Sequence, residues 1–334
     1  MMQRIINDAD RVVDDMLDGF CAANSNLVRR TDNRRVLAST AGTEGRVGIV
    51  TGGGSGHEPA FIGYLGDGML DAVAVGEVFT SPSAQMFLDA FRIADSGHGV
   101  ACLYGNYAGD NLNVRLAIKL AHAEGIRVSI VVANDDVLSA PVSDRPLRRG
   151  VAGEILMWKA AAAAARDGAD LGAVTGAAQH AIDATRSVGV GLTSCTIPAV
   201  GHPNFNIDPG TMEVGIGHHG EPGTAVRELQ PARAIAEMMC DTLLTDLGVD
   251  VGDDVVVLIS GLGATPTMET YILYAAVSEC LARAGLSVHR AIVGNYFTSL
   301  DMFGVTLTIM RLDDRLRTWI DRPVQCAAFR GLNP

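Results

Sequence analysis

The sequence predicts an α/β fold of two domains, each with a central, mainly parallel or mixed sheet flanked by helices. Three observations predict it. Short apolar runs alternate with amphipathic stretches at the spacing of strand–loop–helix units. The chain has 334 residues, long for one hydrophobic core. Its composition changes near residue 186, where glycine and β-formers take over, so the expected spans are 1–185 and 186–334.

Each element has its own signal. In the stretch 8–23, Val12, Val13, Met16, Leu17 and Phe20 fall on one helical stripe. The run 46–51 is an apolar strand, and 72–75 a second one ending in Gly76-Glu77-Val78-Phe79. Ser81-Pro82 opens a helix through Ala94, with Ser81 as its cap and Pro82 in the first position. A strand at 99–104, a helix at 113–124 and a strand at 127–133 follow, then an alanine-rich helix at 153–167. The later part offers β-formers at 188–196, a helix at 232–247, a strong strand at 254–260, a helix around 269–284, and strands at 287–293 and 304–310.

Composition narrows the function. With 48% hydrophobic and 19% charged residues the chain is globular. Its net charge of -12 argues against nucleic acid as a partner. No apolar stretch is long enough to span a bilayer and no signal peptide is recognisable, so a cytoplasmic protein without a membrane partner is expected. Six cysteines stand in apolar contexts with no Cys-x-x-Cys pair, which reads as buried reduced thiols.

Three loops gather the polar chemistry. Residues 52–59, Gly-Gly-Gly-Ser-Gly-His-Glu-Pro, leave the first strand and deliver His57 and Glu58 to its carboxyl end, where open α/β sheets bind ligands. The loop 105–113 carries Asn106, Asp110, Asn111 and Asn113. The loop 215–223 carries His218 and His219, and His219-Gly220-Glu221-Pro222 repeats the histidine–glutamate–proline theme of His57-Glu58-Pro59. Two histidines and an aspartate could serve as nucleophile toward a carbonyl, donor to an oxyanion and base for a hydroxyl. The same set could hold a metal, though no His-x-x-x-His spacing supports that, and none is expected. Asp110 has a plainer reading as a helix cap. There is no Gly-x-x-x-x-Gly-Lys-Ser/Thr loop and no protein-kinase residue set, so a phosphoryl donor is expected to come from another polypeptide.

At these residues the chain resembles the substrate-binding K subunit of dihydroxyacetone kinases. Residues 51–59, 63–70 and 76–82 follow that family's N-terminal motifs. So do Asn106-Tyr107-Ala108-Gly109-Asp110-Asn111, Arg148-Arg149-Gly150-Val151-Ala152-Gly153, residues 215–223, Leu262-Gly263-Ala264-Thr265-Pro266, and residues 296–302. The resemblance implies that a short ketose is held covalently as a hemiaminal on His219, which directly precedes Gly220-Glu221-Pro222. It implies that His57 hydrogen-bonds the hemiaminal oxygen, that Asp110 deprotonates the attacking hydroxyl, and that Gly54, Ser55 and Gly56 cup the ligand. It further implies a homodimer, no cofactor on this chain, and a helical L subunit carrying ATP or ADP with Mg2+. Some relatives instead act as ketose-binding co-activators of a transcription regulator. One position departs: Gly105 stands where the family has a substrate-contacting lysine. The departure opens the choice of ketose to a four-carbon sugar such as erythrulose alongside dihydroxyacetone.

Overall fold

The computed structural model describes residues 4–203 and 205–329. The first elements are α1 (Val12–Ala23), β1 (Val28–Arg30), β2 (Val36–Ser39), β3 (Gly48–Ser55), β4 (Gly66–Asp67), β5 (Ala72–Val78) and α2 (Ala84–Ala94). They are followed by β6 (Val100–Gly105), α3 (Ala108–Ala123), β7 (Val128–Ala133), α4 (Glu154–Arg166) and α5 (Leu171–Asp183). Next come β8 (Thr185–Gly191), β9 (Thr211–Val214), β10 (Ala225–Glu228), α6 (Ala232–Leu247), β11 (Asp254–Gly261) and α7 (Thr267–Arg283). The chain finishes with β12 (Ser287–Gly294), β13 (Gly304–Leu312), α8 (Asp314–Asp321) and β14 (Gln325–Cys326).

Two compact units result, and they are discontinuous in sequence, unlike the consecutive spans expected at 1–185 and 186–334. The first holds the residues through Val132, Ile155–His180 and those from Thr318 on; the second holds Ala133–Glu154 and Ala181–Arg317. The physical reason lies in the return segments. The α4 side chain Trp158 donates to the Leu103 carbonyl at 3.2 Å and packs on the rings of Phe61 and Tyr64, so this helix covers the first sheet. Much later, β14 pairs with β4, and Phe329 packs edge-on against Tyr64. Composition changes near 186 because β8 begins there, but neither of those tertiary returns leaves a compositional mark.

The first unit is built on a six-stranded sheet of order β1-β2-β5-β3-β6-β7, with β3 parallel to both β5 and β6. Along α2, Phe87, Leu88, Ala90, Phe91 and Ala94 are buried, the spacing of one helical face. They form one core with Val50, Cys102 and Tyr104 of the sheet and Val114, Ala117 and Ala121 of α3. Ser83, not Ser81, caps α2: its hydroxyl accepts from the Met86 amide, and Ser81 is drawn away to another partner. α3 begins five residues before the expected Asn113, so Asp110 and Asn111 lie in its first turn.

The second unit has its own six-stranded sheet, of order β10-β9-β8-β13-β11-β12. Only the β11–β12 pair, joined through α7, is parallel among its registers. β13 follows β12 after a short helix-free loop and returns antiparallel beside β11, as a connection without a crossover helix requires. The mixed sheet is thus mostly antiparallel here. Val255, Val257 and Ile259 pack with Leu307 and Ile309 against Met239 and Leu243 of α6 and Val277 and Leu281 of α7. β8 starts three residues earlier than expected because its polar start is buried with partners. Arg186 and the fully buried Arg148 converge on Asp246, with Arg148 Nη1 and Nη2 at 2.9 and 2.6 Å from its two oxygens. Ser187 Oγ donates to Asp135 at 2.5 Å.

Candidate functional site

β3 lies in the middle of the first sheet. The chain leaves β3 for β5 on one side and leaves β6 for β7 on the other. The loops after β3 and β6 therefore part at the carboxyl ends of their strands, the usual place for a ligand in an open α/β sheet. One loop delivers His57 and the other delivers Gly105 and Asp110.

His57 is buried and braced by two aromatic rings. Its imidazole stacks on Phe79 with centroids 5.1 Å apart and meets Phe61 edge-on at 6.3 Å. Phe79 adopts a left-handed φ of 55°, uncommon for a side chain of this size. Its amide donates to the Ser55 carbonyl at 3.0 Å, which holds the ring in place. The glycine run makes this packing possible. A Cβ on Gly53 would stand 2.2 Å from the Phe61 ring, and one on Gly54 2.6 Å from the Thr80 amide. Within the expected ligand cup, Ser55 Oγ donates to the Gly76 carbonyl at 2.8 Å and the Gly56 amide to Glu58 at 3.0 Å. Any ligand using those donors has to compete with these internal bonds.

Asp110 is the third residue of α3, where the free N–H groups of a helix start favour a carboxylate. Tyr107 takes the cap position, so Asp110 is not the cap. Its Oδ1 accepts from Ser81 Oγ at 2.8 Å, and Asn113 Nδ2 donates to the same hydroxyl at 3.3 Å. Asn111 accepts from Tyr104 OH at 3.1 Å and donates to Asn106 Oδ1 at 2.8 Å, tying the loop to β6. Gly105, the last residue of β6, is buried and brings no side chain to this place.

In the second unit, β9 and β10 form a hairpin whose connection, residues 215–224, carries both adjacent histidines. They differ in every respect. His218 is buried, with Nε2 3.1 Å from Thr306 Oγ1, its ring over Phe297, and its carbonyl accepting from Ser299 Oγ. Burial, helped by the neighbouring His219 and Arg149, pushes its pKa down to about 3. It is a neutral core residue. His219 has a quarter of its side chain exposed.

Glu221 holds His219 twice, accepting from the backbone amide through Oε2 at 3.0 Å and lying 2.9 Å from ring Nδ1 through Oε1. Burial works against the charge of Glu221, but the His219 hydrogen bond and the charges of His219 and Arg149 hold its pKa down to about 2. Glu221 therefore stays ionised, and its contribution to stability is lost only as pH falls below the ordinary carboxylate range toward that value. An ionised carboxylate only accepts, so Nδ1 carries the proton, and in the neutral ring the lone pair is on Nε2. A Cβ on Gly217 would lie 2.1 Å from Glu221 Oε2, which explains glycine at that position. In the sequence Glu221 stands out only as part of a signature, Phe79 and Arg149 carry no signal of a role, and Ser81 reads only as a cap. The repeated histidine–glutamate–proline pattern was the available signal for Glu221.

Known proteins resemble this chain along nearly its whole length. The Dak1 domain model matches residues 18–328. The PTS-dependent dihydroxyacetone kinase 2, dihydroxyacetone-binding subunit DhaK, of Listeria innocua is 43% identical over 98% of this chain and 99% of its own. The L-erythrulose kinase of Pectobacterium atrosepticum is 39% identical over 98% of this chain and 56% of its own. Among solved structures, the dihydroxyacetone kinase operon co-activator Dha-DhaQ is similar with a TM-score of 0.88 and 32% identity, covering 94% of this chain and 97% of that one.

Proposed function

The chain belongs to the Dak1 domain family, and we propose from that premise that it is the ketose-binding subunit of a ketose kinase. In this reading a short ketose, dihydroxyacetone or a four-carbon relative, is captured as a hemiaminal on His219. A separate nucleotide-binding L subunit, carrying ATP or ADP with Mg2+, supplies the phosphoryl group, and the chain itself works as a homodimer. The observation that carries the reading is the Glu221 clamp, which engages Nδ1 of His219, so Nε2 is the ring atom assigned as nucleophile.

The capture step follows from that tautomer. The Nε2 lone pair forms a bond to the carbonyl carbon while the π electrons move to oxygen, which takes a proton from solvent. The ring is left cationic, and the Glu221 carboxylate offsets that charge until Nδ1 returns a proton to solvent. No net proton is consumed. His57 is assigned to hydrogen-bond the hemiaminal oxygen, supported by a ring that its two aromatic neighbours keep in one orientation. Asp110 is assigned as the base for the hydroxyl that attacks phosphorus, supported by its place at the start of α3 and by Ser81, which orients the carboxylate through Oδ1. Polyols without a carbonyl cannot form the adduct, so they are discriminated against before phosphoryl transfer. Crystals soaked with ketose, and turnover on a ketose panel with the L subunit, test this reading; absence of both adduct and turnover would sink it.

The similarity to a co-activator supports a second reading, a ketose sensor without turnover. Retention of His57, Asp110 and His219 together favours the enzyme. Purified chain that forms the adduct but turns over no ketose with any L subunit would decide for the sensor.

Two substitutions probe the assignments. Asp110→Asn keeps the acceptor for Ser81 and is expected to leave the adduct intact while turnover falls about 10²-fold or more, the scale of losing a general base. Equal loss of adduct and turnover would reject that role. Gly105→Lys is expected to shift preference toward dihydroxyacetone over erythrulose, by the ~1–3 kcal/mol one carbon is worth in a pocket. An unchanged ratio of kcat/KM for the two sugars removes the argument from Gly105.

A further inference from the structure

Behind Glu221 stands a second layer of charge. Arg149 Nη1 approaches Glu221 Oε2 at 3.8 Å, and Arg149 Nη2 donates to the Gly215 carbonyl at 2.9 Å, at the start of the same loop. On its other side Arg149 is gripped by Asp136, whose Oδ2 lies 2.9 Å from Nε and 2.8 Å from Nη2. Asp136 is buried three residues after β7, and the Arg149 amide donates to Ser139 Oγ at 2.9 Å. A guanidinium with this many fixed partners is a rigid strut, since its donors form a planar fork. The strut ties the segment 136–149 to the loop that carries His219.

We propose that Arg149, anchored by Asp136, is a positioning residue that holds the Glu221 carboxylate and thereby fixes the Nδ1–H tautomer of His219. The inference rests on the hemiaminal reading of His219 and extends it by two residues that act through Glu221. Removing Arg149 frees Glu221 to turn toward water, since a third of its side chain is exposed. The imidazole then samples both tautomers, and in one of them the lone pair at Nε2 is lost.

The anchor also makes the test workable. Burial pushes the Asp136 carboxyl up to about 7 against the pull of Arg149, with the charge of Asp135 adding to the rise. A variant without Arg149 can therefore keep Asp136 protonated, and folded, near pH 6. The experiment compares wild type, Arg149→Lys, Arg149→Gln and the double variant Arg149→Gln/Asp136→Asn on the full-length chain. Two readouts are taken: ring 15N shifts of His219, assigned against His219→Ala, in the absence of ketose, and adduct affinity for dihydroxyacetone. Wild type is expected to show a single Nδ1–H form. Arg149→Gln and the double variant are expected to show mixed tautomers and about 10-fold weaker adduct formation, the scale of removing an outer partner of a functional histidine. Arg149→Lys is expected to recover part of both. An unchanged tautomer in Arg149→Gln overturns the proposal, as does weaker adduct formation accompanied only by a lower melting temperature. Because the tautomer is read without ketose, a wild type that forms no adduct rejects the hemiaminal reading while the positioning role is still judged.

Discussion

His219→Ala is expected to abolish covalent ketose capture and to lower turnover by at least about 10³-fold, given what loss of a covalent nucleophile costs other enzymes. The fold is expected to survive, because the His219 side chain is partly exposed on a hairpin connection. His218→Ala should behave in the opposite way. It removes a buried ring packed on Phe297 and hydrogen-bonded to Thr306, so stability falls while capture persists in the molecules that remain folded. Paired melting curves and ketose-soaked crystals separate the two. Density continuous with the His218 ring would reverse the assignment.

Asp246→Ala is expected to destabilise the second unit by about 3–5 kcal/mol, the cost of stranding buried charge. Arg148 and Arg186 both point at this carboxylate from nearly complete burial, and neither can shed its proton. Alanine leaves two like charges together with nothing between them. Urea unfolding of wild type and variant gives the difference directly, and a change below about 1 kcal/mol would show that water replaces the carboxylate. The sign of the pH effect follows. Burial opposes the Asp246 charge, but the hydrogen bonds and charges of the two arginines hold its pKa below the ordinary value. Its stabilising contribution is present above the unfolded pKa and is lost as pH falls through the folded one. The gap between wild type and Asp246→Ala should therefore narrow in acid.

How much of this could be read from the sequence depends on whether the signal is local. The strands at 100–105 and 254–261 and the helices at 84–94 and 232–247 carry their apolar periodicity openly and appear close to where expected, whereas the first strand, expected at 46–51, runs on through the glycines read as a loop to Ser55. The start of α3 was missed because Gly109, Asp110 and Asn111 are poor helix formers in a helix interior, whereas the first turn tolerates glycine and favours Asp. β1 was missed because two of its three residues are exposed arginines on a sheet edge. Ser81 and Ser83 are equally good caps by type, and only the tertiary bond to Asp110 decides between them.

The candidate residues divide in the same way. The turns bearing His57 and His219 were legible as loops at strand ends, whereas Asp110, expected in a loop, lies in the first turn of α3. What distinguishes His219 from His218 is burial of one ring and a carboxylate clamp on the other, and neither is written in two adjacent identical letters. The glycines at 53 and 54 invited a ligand-cup reading, yet the Phe61 ring and the Thr80 amide account for the absence of their side chains. Arg149 and Asp136 are thirteen residues apart and meet only through the fold.

The pairing of β14 with β4 gives the chain an order of completion. Gln325 and Cys326 close on Asp67 and Gly66, and the Arg322 carbonyl accepts from Lys159 Nζ at 2.6 Å. During synthesis the residues of the first sheet emerge well before the strand that closes this corner. The whole second unit is translated in the interval. The first unit therefore waits, with its β4 edge unpaired and Tyr64 lacking the Phe329 ring, until its last described residues clear the ribosome. A chain stopped at Arg317 would have every strand of both large sheets and still lack this closing segment of its first unit.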